Sequence, residues 1–262
     1  MGRRWLLVLG ASSGFGAASC RAFAAAGYDV FGVHLDRRST IANADAVVAD
    51  VEATGQLCRF FNVNAADDTR RSEVVDQIRG TLAEHGGQVQ VLLHSLAFGS
   101  LLPFIDPEGG RTLTHKQLTM TLEVMAHSLV WWTRDLVAAD LMGRGGRIFA
   151  MTSSGSHNAW PTYGAVSAAK AALESHVRQL AHELAPMAIT ANSVMAGVTR
   201  TPALEKIPDH EGLIDKALKK NPHKRLTRPE DVAACLVELS RPGTYWLNGG
   251  ALRVDGGEDA CG

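Results

Sequence analysis

Seven short apolar runs alternate with longer helical patterns along the 262-residue chain, and this rhythm constrains the fold more than any other feature. Such alternation produces a parallel sheet covered by helices on both faces. Strands are read at Trp5–Leu9, Val30–Val33, Cys58–Val63, Val89–His94, Arg147–Thr152, Ile189–Val194 and Ala251–Val254, each bounded by Gly, Asn, Asp or Ser. Helices are expected at Gly14–Ala26, Asp67–His85, a long Leu113–Met142, Tyr163–Ala185 and Pro229–Leu239, while Asp36–Gln56 resists assignment. The expected fold class is α/β, a Rossmann-like doubly wound parallel sheet in a single domain over residues 1–262. Apolar residues make up 46% of the chain, enough to bury one such core. One stretch reads as an insertion: residues 197–228, with Pro202, Pro208, Pro222 and mixed charge, are expected to form a substrate lid.

Charge narrows the partners. The 26 Lys and Arg nearly cancel 27 Asp and Glu, leaving no basic field for nucleic acid or an anionic membrane surface. A small molecule is the expected partner. No apolar run reaches the ~18 residues of a spanning helix, and the expected location is cytoplasmic. Cys20, Cys58, Cys235 and Cys261 are scattered without C-x-x-C or histidine spacing, so reduced thiols and no metal are expected.

After the first strand comes Gly10-Ala-Ser12-Ser13-Gly14-Phe15-Gly16, a glycine-rich turn opening an alanine-rich helix. Glycines there let the backbone approach a dinucleotide pyrophosphate, and the helix N-terminus presents free N–H groups to it. At the end of strand two stand Asp36, Arg37 and Arg38. An acid accepts the ribose hydroxyls of NADH, whereas arginines pair with the 2′-phosphate of NADPH. Two adjacent arginines favour NADPH, with Asp36 the argument for NADH. Asn62 and Val63 are expected to edge the adenine.

The segment Ser153-Ser-Gly-Ser-His-Asn-Ala-Trp-Pro-Thr-Tyr163, followed at seven positions by Lys170, carries the chemistry. A tyrosine can donate a proton to a developing oxyanion, and a nearby ammonium lowers the phenol pKa and holds ribose hydroxyls. Seven helical residues return to within roughly 20° of the same face with ~10 Å of rise, an upper guide if Tyr163 sits in the opening turn after Pro161. His94 is expected to satisfy a local hydrogen bond, and Trp131-Trp132 to fill core or subunit contacts.

Over essentially its full length the chain resembles the short-chain dehydrogenase/reductase family. The likeness rests on Gly10-x-x-x-Gly14-x-Gly16, on Ser153 with Tyr163 and Lys170, on Asn192-Ser-Val-Met-Ala-Gly197, and on Val254-Asp-Gly-Gly257. Within the family it is most similar to the enoyl-acyl-carrier-protein reductases. Tyr-x6-Lys replaces Tyr-x3-Lys, with Val166 at the ordinary tyrosine position. Strand four ends in Leu93-His-Ser-Leu-Ala-Phe98, and Ala196-Gly-Val-Thr-Arg-Thr201 resembles Ala-Gly-Pro-Ile-Arg-Thr.

The resemblance implies reduction of the 2,3 double bond of enoyl thioesters on acyl carrier protein or coenzyme A. Tyr163 would assist the carbonyl, Lys170 would hold the nicotinamide ribose, and the region after Gly197 would close over the acyl chain. It also implies cofactor contacts from Ser95, Leu96, Ala97, Ala196, Gly197, Val198 and Thr199, and a homotetramer. Ser153 stands where many enoyl reductases carry an aromatic residue, which keeps a carbonyl reductase of the same family open. The helix-four asparagine of many relatives has no counterpart; Met125 or His127 falls nearby. A nucleotide-binding module without catalysis is the third reading.

Overall fold

The computed structural model describes residues 2–261; Met1 and Gly262, the outer bounds of the expected domain, lie outside the described residues. The strands are β1 (Arg4–Leu9), β2 (Asp29–His34), β3 (Cys58–Asn62), β4 (Gln88–His94), β5 (Arg147–Thr152), β6 (Thr190–Ala196) and β7 (Ala251–Val254). All pair in parallel, in the order β3-β2-β1-β4-β5-β6-β7. The fold is thus the single-domain, Rossmann-like doubly wound sheet that the alternation predicts. The strand order reverses between β1 and β4, and such sheets bind ligands beyond the carboxyl ends of the strands at that point.

The helices are α1 (Gly14–Ala25), α2 (Ile41–Glu52), α3 (Asp68–His85), α4 (His115–Leu122), α5 (Ser128–Ala138), α6 (Gly164–Leu184), α7 (His210–Lys220) and α8 (Pro229–Leu239). One core layer lies between the sheet and α3, α5 and α6, with Leu92, Ile148, Leu173 and Val177 among its residues. The other lies under α1, α2 and α8 and includes Val8, Phe23, Val47 and Leu236. Helices cover both faces, so β2 and β5 are buried at every position, as continuous apolar strands require. Trp5 stacks on Phe31 with ring centroids 4.2 Å apart, anchoring the sheet centre.

One expectation is corrected, and two segments gain a helix. The long Leu113–Met142 helix starts at His115 under a Thr114–Gln117 capping box, ends at Ala138, and is interrupted by one π-turn over Glu123–His127. The unassigned segment Asp36–Gln56 holds α2, which buries only Ala44, Val47 and Val51. The insertion 197–228 holds α7, which buries Ile214 and Ala217.

Candidate active site

The glycine-rich turn runs directly from β1 into α1. Gly10 adopts φ +93°, and a Cβ on it would stand 2.5 Å from the Ser95 carbonyl oxygen. A Cβ on Gly16 would overlap the Gly10 carbonyl oxygen. The turn is therefore drawn so tight against β4 that only glycine fits at either position. Ser13 precedes α1 in an extended conformation with no side-chain cap, and no acid occupies the first turn. The amides of that turn stay available to an anion.

At the end of β2, Asn62 clamps Asp36 from both sides: its Oδ1 accepts from the Asp36 amide at 3.0 Å, and its Nδ2 donates to the Asp36 carbonyl at 3.0 Å. His34 Nδ1 lies 2.8 Å from Asp36 Oδ2. Burial pushes the Asp36 carboxyl up, but the Thr40 and Ser12 hydroxyls and the His34 ring outweigh it and hold the group below its usual range. Arg37 and Arg38 are exposed and form no ion pair among the described residues. Val63 is buried beyond β3, its amide donating to the His34 carbonyl at 2.8 Å. Asn62 thus fixes the Asp36 backbone.

Ser95 follows β4, its amide donating to the Leu9 carbonyl at 2.8 Å; Leu96 is half-buried and Ala97 exposed. Thr199, buried after β6, donates from Oγ1 to the Gly197 carbonyl at 2.9 Å. A Cβ on Gly14 would lie 3.3 Å from Thr201 Cγ2, so the segment after β6 reaches back to the glycine turn.

Ser153 leaves β5 and leads into a short 3₁₀ turn, Ser154–Ser156. Its hydroxyl is buried without a partner among the described residues. A Cβ on Gly155 would overlap the edge of the Tyr163 ring and stand 3.2 Å from Ser153 Oγ, so the serine and the phenol flank one glycine. Tyr163 caps α6 rather than standing inside it, after Thr162 at φ 61°. Its ring packs against the small cluster of Val124, Met125, Val166 and Ala169. Burial pushes the phenol up. The exposed ring of Phe104 lies over Gly164, whose Cβ would meet it at 2.6 Å.

Lys170 projects from the second turn of α6 into the protein, where Nζ donates to the Met151 carbonyl at 2.6 Å. Burial pulls this ammonium down to about 8, against the nearby Glu174 carboxylate. Glu174 in turn accepts from Thr152 Oγ1 at 2.6 Å. Tyr163, Ser153 and Lys170 therefore all gather at the carboxyl end of β5.

Sequence reasoning missed the polar cluster beneath them. Ser128 gives its proton to the Val124 carbonyl at 2.9 Å, within the π-turn, so His94 must donate from Nε2 to Ser128 Oγ at 2.9 Å. The expected local hydrogen bond of His94 is present, yet Nδ1 has no partner among the described residues. Burial, then the Lys170 cation, push this imidazole down to about 3. Trp132 fills the core, donating to the Ala65 carbonyl at 2.8 Å, whereas Trp131 is partly exposed. His127 leaves the π-turn toward α6, with Nδ1 2.9 Å from His176 Nε2.

Comparison with known proteins gives the family. The family model described as Enoyl-(Acyl carrier protein) reductase matches residues 10–258. The chain is 30% identical to 1-cyclohexenylcarbonyl-CoA reductase of Streptomyces collinus, over 97% of this chain and 86% of that protein. It is 29% identical to an NADH enoyl-acyl-carrier-protein reductase of Aquifex aeolicus, over 72% of this chain and 69% of that one. Among solved structures, a Burkholderia cenocepacia short chain dehydrogenase in complex with NADP superposes with a TM-score of 0.81 at 28% identity, covering 97% of each chain. The chain belongs to the short-chain dehydrogenase/reductase oxidoreductases, in the family that this model describes and close to the enoyl-acyl-carrier-protein reductases.

Proposed function

We propose that the chain uses NADPH, with NADH the lesser cofactor, to saturate the 2,3 double bond of enoyl thioesters carried on acyl carrier protein or coenzyme A. The observation that carries this reading is the placement of Tyr163 at the cap of α6 with Lys170 buried two turns on, both at the end of β5. In conjugate reduction, hydride reaches C3 while charge collects on an oxygen three bonds away, so the acid should stand back from the reacting carbon. A tyrosine set at the helix cap meets that requirement.

The cofactor fits the residues present: the tight glycine turn delivers the uncapped start of α1, whose amides can meet a pyrophosphate, and Arg37 and Arg38 are free to meet a 2′-phosphate. When bound, the dinucleotide supplies hydride. The chain's own residues do the rest. Tyr163, kept protonated by burial, hydrogen-bonds the thioester oxygen as negative charge develops there. Lys170 holds the ribose hydroxyls. The insertion 197–228 covers the acyl chain; Leu213, on its helix α7, shares a pocket with Trp160. The names of the Streptomyces and Aquifex relatives, which put an unsaturated acyl group on coenzyme A or acyl carrier protein, support the substrate class. A homotetramer acting in cytoplasmic fatty acid synthesis belongs to the same proposal; no described helix is long and apolar enough to cross a membrane.

A second reading is favoured by one observation. The buried, unpartnered Ser153 hydroxyl beside Tyr163 is the group a carbonyl reductase uses to hold a substrate oxygen. Anaerobic assay of the protein with NADPH or NADH against crotonyl and octenoyl thioesters and a panel of ketones separates the two. Faster oxidation of the nicotinamide with thioesters is expected. Faster turnover of ketones would replace this reading with the carbonyl one, and cofactor binding without turnover would remove both.

A further inference from the structure

The two ends of the 197–228 insertion converge on a buried carboxyl group that the chemistry above does not use. The Val198 amide donates to Glu258 Oε1 at 3.0 Å. A Cβ on Gly197 would stand 2.9 Å from Glu258 Oε2 and 2.5 Å from Thr227 Oγ1. One carboxyl group therefore touches the start of the insertion, and Thr227 at its far end presses on the same glycine.

Glu258 is held by a braced turn. Asp255 accepts from the amides of Gly257 and Asp259, each at 2.9 Å, and Asn221 Nδ2 donates to the Asp255 carbonyl at 2.9 Å. Glu258 itself is only 9% exposed, and its Oε2 has no partner among the described residues. Burial pushes its carboxyl up, with the Val198 amide and Asn221 opposing the shift. Keeping a carboxyl there is costly unless its contact does something. The motif that Ala196–Thr201 resembles has proline where this chain has Val198. Proline carries no N–H, so valine introduces a backbone donor, and Glu258 is its acceptor.

We propose that Glu258 is a positioning residue: through the Val198 amide it latches the stem of the insertion so that α7 stays over the acyl cleft. Its kinetic consequence rests on the enoyl-thioester reading; the latch itself is a property of the fold. The pocket between α7 and the 3₁₀ turn is lined by Ser154, Trp160, Val198, Leu213, Lys216 and Glu258 among others, so a shift at Val198 moves the wall that substrate meets.

The test compares wild type with Glu258→Ala and Glu258→Gln by limited trypsin digestion at the insertion lysines, such as Lys206 and Lys216, and by steady-state kinetics with octenoyl thioester. Losing one amide–carboxylate hydrogen bond corresponds to about a tenfold change in an opening equilibrium. Cleavage about tenfold faster in Glu258→Ala is expected, with KM raised about as much and kcat within about twofold. Glu258→Gln keeps an accepting oxygen and should restore both values. Equal cleavage in all three proteins would overturn the latch, as would equal damage from Gln and Ala, or a fall in kcat and Tm that accompanies KM. Should Glu258→Ala fail to fold, Glu258→Met keeps the bulk without the acceptor and is held to the same outcomes. Faster cleavage in a protein that reduces no thioester would uphold the latch and refute the substrate reading instead.

Discussion

The Lys170 ammonium donates to the Met151 carbonyl at 2.6 Å, which pins a buried cation to the end of β5 just before Ser153. The amine is held at a fixed point, and its burial has consequences for both activity and stability.

Folding pulls the Lys170 pKa from 10.5 to about 8. Above pH 8 the native amine loses its proton while the unfolded one keeps it, so this group's contribution to stability rises between about pH 8 and 10.5; below pH 8 its burial is a net cost. Lys170→Met should therefore raise stability at pH 7, by up to about 3 kcal/mol on the linkage relation, while removing turnover. Urea melts read the first and nicotinamide oxidation the second. In the wild type, turnover should decline as pH rises through 8. A flat rate up to pH 10 would show that the charge on Lys170 is not used.

Tyr163→Phe keeps the ring against its apolar cluster and removes only the hydroxyl. Turnover should fall about 10²–10⁴-fold with NADPH affinity retained, as measured by cofactor fluorescence. Unchanged turnover would remove the proposed proton donor.

Arg37 and Arg38 stand exposed beside the clamped Asp36. Replacing both by alanine should weaken NADPH binding about 10–100-fold and leave NADH nearly unchanged, since only the former carries the phosphate they would pair with. Titration of each cofactor checks this, and an equal loss for both would assign the arginines a structural role.

His94 is neutral in the folded protein until about pH 3, whereas an unfolded histidine gains its proton near 6.5. Its burial therefore favours folding above pH 6.5, and that contribution is lost as pH falls from 6.5 toward 3. His94→Gln can still donate to Ser128 and does not titrate. Its urea midpoint should drop less than that of the wild type between pH 6.5 and 4, and parallel curves would place the acid sensitivity elsewhere.

The strands were legible because central parallel strands are buried on both faces and read as unbroken apolar runs, as in Leu6–Leu9. The glycine turn was legible because close backbone approach leaves one residue type at Gly10 and Gly16. Where burial is thin, pattern fails. The helix α2 shows the core only Ala44, Val47 and Val51, and α7 only Ile214 and Ala217, following Asp209 at φ 57°. The π-turn adds a residue to a helix without altering its composition, so nothing local announces the bond from Ser128 to Val124. Glu258 and Val198 are partners across 60 positions, a relation that spacing does not encode. Tyr163 and Lys170 were found by residue type and interval, but the step from helix interior to helix cap depended on Thr162 adopting φ 61°.

Phe104 rests where any side chain larger than hydrogen at position 164 would have to go. The connection between β4 and α4 therefore sits on the very residue that follows the phenol, like a thumb on the hub of a wheel. Any side chain at position 164 would have to push that ring aside, so the place of the aromatic depends on keeping glycine next to the phenol.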